Sequence, residues 1–235
     1  MKNSIYLACK EFFLNIIFPR KCVGCGQEGA WICEGCRAKI VMVKSPTCPI
    51  CHKLTKNGHF CSRHRRGKAL TGIISVAYLD QGPLKELIHY FKYRNIRELT
   101  DFLAELMMER LKLGFPYGDL LIVPVPLHPA RQAMRGYNQA ELLANKIGEY
   151  YDIESANDLV RRIKNNKPQV ELKAKERWQN VQGVFNLCQG IERIKGKTVL
   201  LVDDITTTGA TLNEIGRLLR KKGARQIWGL VMAKG

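Results

Sequence analysis

The chain is short of acids, and the shortage is uneven. Its 235 residues include 21 Asp and Glu against 38 Lys and Arg, a formal net charge of +17. Residues 1–70 hold only Glu11, Glu28 and Glu34 against thirteen basic residues, whereas residues 71–235 carry eighteen acids against twenty-five bases. That imbalance favours polyanionic partners such as nucleic acid, although solubility alone also explains many basic proteins. Long apolar runs are missing too. Residues Ile5 to Phe18 are apolar but broken by Lys10, Glu11 and Asn15, and are too short to span a bilayer. Residues 1–18 therefore read as an amphipathic helix, packed on the main domain or lying on a membrane or partner surface. Tyr6-Leu7-Ala8-Cys9 is similar to a lipoprotein cleavage box, but too few apolar residues precede it for a signal peptide. A Walker A motif is absent as well. Gly190 to Thr198 has one residue too many before Gly196-Lys197-Thr198 and leads into a strand, which excludes a P-loop nucleotidase.

Cysteine is plentiful, yet its distribution argues against a disulfide scaffold. Seven of the nine cysteines lie between Cys22 and Cys61 as paired knuckles without a secretory signal, which favours zinc in a reducing, cytoplasmic compartment. Cys22-x-x-Cys25 and Cys33-x-x-Cys36 supply four thiolates for one tetrahedral site, with Gly24 and Gly26 easing the first knuckle. Cys48-x-x-Cys51 and Cys61-x-x-His64 supply a second quartet. There His52 and His59 compete for the fourth place, and spacing also allows crossed ligation between the first and third knuckles. A redox C-x-x-C would sit beside a βαβ pattern, which this segment lacks. The isolated Cys9 and Cys188 are expected as buried thiols. Residues 19–68 thus form a zinc-ribbon-like module stabilised by metal. It ends in the basic cluster Arg63, Arg65, Arg66 and Lys68, with Phe60 and Trp31 nearby, a composition suited to phosphates and bases or to a solvated linker.

From residue 69 onward strands and helices alternate, which predicts an α/β domain with a mostly parallel sheet and helices on both faces. Strands are expected at Gly72–Leu79 and Leu120–Val125, and helices at Leu84–Tyr93, from about Ile96 to Leu111, and from Asn138 to Tyr150. Asn138 and Glu141 form a capping-box-like start. Arg131 and Arg135 precede that helix and are candidates to face an anion. The basic, polar segment from Arg161 to Phe185 reads as a long mobile loop suited to a lid.

The densest chemistry lies in Val199–Thr211, VLLVDDITTTGAT. A buried β-branched run delivers Asp203 and Asp204 to the carboxyl end of a strand, where open α/β sheets bind ligands. These carboxylates can accept hydrogen bonds from vicinal hydroxyls. Thr206, Thr207, Thr208, Gly209, Ala210 and Thr211 then open a helix whose N–H groups and dipole favour a phosphate. A plain strand-to-helix turn with a capping Thr is the simpler alternative, but adjacent acids at a buried strand end are costly unless used. The pattern resembles the phosphoribosyl pyrophosphate (PRPP) signature of type I phosphoribosyltransferases.

Taken with the zinc knuckles, the Leu87–Thr100 segment and the VPVPLHPARQAMRGYNQAELLA string at Val123–Ala144, that loop resembles the ComF family over nearly the whole chain after Phe18. The resemblance implies a double zinc ribbon joined to a type I phosphoribosyltransferase domain. It also implies single-stranded DNA as a partner during natural transformation, at the DNA-uptake machinery on the inner membrane face. PRPP or a nucleotide-like ligand, with Mg²⁺, would occupy the loop. Asp203, Asp204, Arg131 and Arg135 would then carry any phosphoribosyl transfer. A nucleotide-sensing pocket without turnover is a further reading, because no segment identifies an acceptor.

Overall fold

The computed structural model describes residues 19–112, 118–166 and 174–234. The expected N-terminal helix, Cys9 and part of the expected lid lie outside them. The main domain is built on a four-stranded parallel sheet of β1 (Gly72–Tyr78), β2 (Leu120–Pro124), β5 (Thr198–Thr206) and β6 (Gln226–Lys234), in the order β1-β6-β5-β2. The register runs Leu120 to Thr198 between β2 and β5, and Thr198 to Gln226 between β5 and β6. The central strands are continuous apolar runs because both faces are covered.

Alternation along these strands sorts the core into two halves. Leu200, Val202, Trp228, Leu230 and Met232 face a layer built from α2 (Leu84–Tyr93), α3 (Leu99–Lys112) and α5 (Gln139–Tyr151). Val199, Leu201, Ile227 and Val231 face α7 (Ala210–Lys221) and a ribbon of β3 (Val160–Arg162) and β4 (Phe185–Leu187). That ribbon corrects the expectation of one long loop from Arg161 to Phe185. Its two ends pair antiparallel, with Val160 opposite Leu187 and Arg162 opposite Phe185, and α6 (Ala174–Asn180) lies between them. Val160 and Phe185 reach the core, so burying a few apolar side chains organises an otherwise polar segment. Cys188, expected to be buried, is only partly so.

The metal-ribbon segment closes the exposed edge of the sheet. The Val43 N–H donates to the Val76 carbonyl at 2.8 Å, and the Tyr78 N–H donates to the Val41 carbonyl at 3.0 Å. These two bonds run antiparallel along β1, whose far edge would otherwise offer unpaired backbone to another chain. On the helical side, Arg37 of the short α1 (Glu34–Arg37) donates to both carboxylate oxygens of Glu105 on α3, at 3.2 and 3.0 Å.

Candidate functional site

The two metal quartets form between consecutive knuckles, without crossing. The donor atoms of Cys22, Cys25, Cys33 and Cys36 lie within 4.8 Å of one another, as do those of Cys48, Cys51, Cys61 and His64. Cys25 and Cys33 Sγ are 3.6 Å apart, Cys51 and Cys61 Sγ 3.8 Å, and Cys61 Sγ is 3.3 Å from His64 Nδ1. Zinc–sulfur bonds of about 2.3 Å at tetrahedral angles put sulfurs about 3.8 Å apart, so both cages fit zinc. The rival histidines are engaged elsewhere. His59 meets the Trp228 ring edge-on at a centroid distance of 4.5 Å, and His52 Nε2 lies 3.4 Å from Lys234 Nζ. Gly24 is demanded by close approach, because a Cβ there would stand 2.8 Å from Cys36 Sγ and 3.0 Å from Pro83.

At the carboxyl end of the sheet a cleft of about 240 Å³ opens between β5, α2, α4 (Pro129–Arg135) and β3. Side-chain alternation along β5 turns its two adjacent acids toward opposite layers. Asp204, 7% exposed, lies on the α2 side, where Lys92 Nζ is 3.0 Å from its Oδ1. Asp203 lies on the ribbon side within the field of Arg162. Asp203 Oδ1 also accepts the N–H of Asp204 at 2.9 Å. Burial, followed by the Asp204 charge, pushes the Asp203 carboxyl up to about 8; Lys92, the Asp204 N–H and Arg162 resist that rise. Arg162 is itself pushed down to about 10 by burial and by Arg131, with Asp203 opposing.

The predicted threonine loop divides into two groups. Thr206, Thr207 and Thr211 line the cleft. Thr208, Gly209 and Ala210 shape the turn behind it. Thr208 Oγ1 accepts the Ala210 N–H at 3.4 Å, and Gly209 adopts φ +73°, a left-handed conformation costly for any side chain. A Cβ at Gly209 would also stand 3.0 Å from Ile73 Cδ1. Ala210 is buried in the first turn of α7.

Arg131 and Arg135 both line the cleft, as expected, and both are braced. Arg131 Nε donates to Asn165 Oδ1 at 3.0 Å, and its Nη2 donates to the Asn166 carbonyl, clasping the segment that follows β3. Arg135 donates to Gln139 Oε1 at 3.1 Å and lies 4.9 Å from the centre of the Tyr93 ring. The strand-to-helix turn that carries them is held by His128 Nδ1, which accepts the Ala130 N–H, and by Asn138, which caps α5 through Ala140 and donates to the Val125 carbonyl.

Sequence reasoning missed Lys92, Tyr93, Gln139 and Arg162 as cleft residues. Lys92 stood inside a segment singled out for resemblance alone. Only the docking of α2 onto the sheet reveals that it faces Asp204. Arg162 lay in the segment expected as a lid, and its inward turn follows from the three-residue strand β3, which carries no periodic signal in the sequence.

A strand-borne acid pair, a threonine turn at a helix start and a cation-lined cleft define a phosphoribosyltransferase-type domain, here carrying a zinc ribbon. The sequence bears this out, matching the family model for a phosphoribosyl transferase domain over residues 97–233 and that for a double zinc ribbon domain over residues 13–65. Competence protein F of Haemophilus influenzae is 34% identical over 223 residues, covering 86% of this chain and 96% of that protein. DNA utilization protein YhgH of Escherichia coli is 30% identical over 85% of this chain and 90% of its own, and competence protein ComFC of Bacillus subtilis 29% identical over 82% and 79%. The chain belongs to the ComF family.

Proposed function

We propose that this protein binds PRPP or a nucleotide-like ribose phosphate at the β5 edge and handles incoming single-stranded DNA during natural transformation. The observation that carries the ligand reading is the cleft itself, where Asp203 and Asp204 stand beside Thr206, Thr207 and Thr211. The carboxylates would accept the ribose hydroxyls, and the threonine turn with the start of α7 would take the 5-phosphate. Arg131, Arg135 and Arg162 would meet the pyrophosphate. The biological role is supported by the relatives named for competence and DNA utilization and by the basic N-terminal part. Residues 19–68 would act as the zinc-dependent DNA-binding part and residues 69–235 as the ligand-binding part. Lys68 Nζ sits 4.1 Å from the centre of the Trp178 ring at their junction, an aromatic and cationic pair suited to a single strand.

Among the described residues no helix is long and apolar enough to cross a membrane. A peripheral place at the inner membrane face, beside the uptake machinery, is part of the same proposal. The expected Mg²⁺ companion of PRPP fits the acid pair poorly, because Lys92 already holds Asp204 Oδ1 and the Asp204 N–H holds Asp203 Oδ1.

A second reading is phosphoribosyl transfer to an unidentified acceptor, favoured by the cations gathered where a departing pyrophosphate would develop charge. Titration with PRPP, followed by an assay for pyrophosphate release with candidate acceptors, separates the readings. Binding without release leaves ligand sensing; release with one acceptor establishes transfer; no binding sinks both.

A further inference from the structure

The acid pair of the cleft is neutralised from within the chain. Lys92 leaves the last turn of α2 and reaches Asp204 at 3.0 Å, with 17% and 10% of the two side chains exposed. So little water competes there that the contact is a strong charge-assisted one. Asp203 Oδ1 is engaged by the Asp204 N–H, and Arg162 closes the pair from β3. With Arg131 and Arg135, four cations line a cleft that holds two carboxylates. A divalent cation needs deprotonated carboxylate oxygens turned toward it. Lys92 already holds Oδ1 of Asp204, and the Asp204 N–H already holds Oδ1 of Asp203.

Metal ions on such acid pairs cancel carboxylate charge so that a polyphosphate can approach. An ammonium in the same position does this without a metal. It also has donors to spare, since a lysine has three N–H bonds and can hold Asp204 and a ligand oxygen together. We propose that Lys92 stands in for a divalent cation at the Asp203–Asp204 pair, so that a phosphorylated ribose binds this cleft without Mg²⁺. The inference rests on the phosphoribosyl reading of the cleft, and it makes Lys92 the residue that sets the metal requirement.

The test uses the full zinc-loaded chain. PRPP is titrated calorimetrically in buffer passed over chelating resin, then with millimolar MgCl₂; soluble chelators are avoided because they would strip the ribbon. Wild type keeps its affinity within about threefold between the two buffers. Lys92→Met weakens binding about 10- to 100-fold without Mg²⁺, the loss of one charge-assisted contact, and recovers when Mg²⁺ is added; Lys92→Arg stays near wild type. Independently, Mn²⁺ is followed by electron paramagnetic resonance on the ligand-free proteins. It remains free with wild type, binds Lys92→Met, and is released again when Asp203→Asn is added. A wild type that needs Mg²⁺ for PRPP, or Mn²⁺ that behaves alike in wild type and Lys92→Met, overturns the proposal. Absence of PRPP binding in both buffers sinks the phosphoribosyl reading instead, and the manganese signal still decides the role of Lys92.

Discussion

Asp203→Asn should stabilise the ligand-free protein while weakening its ligand. The native cleft holds the Asp203 carboxyl at about 8, well above its ordinary 3.8, because burial and the neighbouring Asp204 oppose its charge. A carboxyl raised in the folded state costs nothing below its unfolded value, and the folded state loses stability as pH climbs from about 4 toward 8. At about 1.4 kcal/mol per pH unit, the cost at pH 7 has an upper bound of about 4 kcal/mol, and solvent screening of a side chain only partly buried at the cleft mouth reduces it to about 1–2 kcal/mol. Asparagine keeps an oxygen to accept the Asp204 N–H at 2.9 Å and removes the charge. Denaturant unfolding of both proteins, zinc-saturated and followed by tryptophan fluorescence, reads the difference. The two curves should coincide near pH 4, and the variant should lead by about 1–2 kcal/mol at pH 7. A gap that stays constant across that range, or a variant weaker than wild type at pH 7, would refute the reasoning.

Gly209→Ala must hold a left-handed turn and press on Ile73, so unfolding should show a loss of about 1–3 kcal/mol. Stripping zinc should free the Val41–Val43 segment from β1. Hydrogen exchange at the Val43 and Tyr78 amides, slow in the zinc-loaded protein, should then rise toward the unprotected rate. Binding of single-stranded DNA should weaken steeply with salt, with a log–log slope of about −0.7 per phosphate neutralised. Trp178→Ala should cost about 1–3 kcal/mol of DNA affinity and leave PRPP affinity unchanged. Equal loss of both would place Trp178 in a single shared site.

What the chain discloses before folding is what depends on local pattern. The Leu84–Tyr93 helix lies at the range its spacing predicts, Asn138 caps the following helix, and the Thr198–Thr206 strand carries its acids to the sheet edge. Both zinc quartets were legible because ligand spacing is a local property. Their pairing was not, since spacing allows crossed ligation and only the folded positions of the donor atoms gather Cys22, Cys25, Cys33 and Cys36 apart from Cys48, Cys51, Cys61 and His64. The β3–β4 ribbon was hidden because three-residue strands in a basic segment carry no periodic signal; Val160 and Phe185 become core residues only when the ribbon meets the sheet. Lys92 is the sharpest case. Its partner Asp204 is more than a hundred residues distant, and nothing in the KYRN string at the end of α2 marks one lysine as the neighbour of an acid on a remote strand.

The central claim is that the acids and threonines at the end of β5 bind a phosphorylated ribose. Calorimetric titration of PRPP into zinc-loaded wild type and Asp204→Asn tests it most directly. Saturable one-to-one binding in the wild type, weakened at least about tenfold in the folded variant, is the predicted result. Equal affinity in the two proteins would contradict the account.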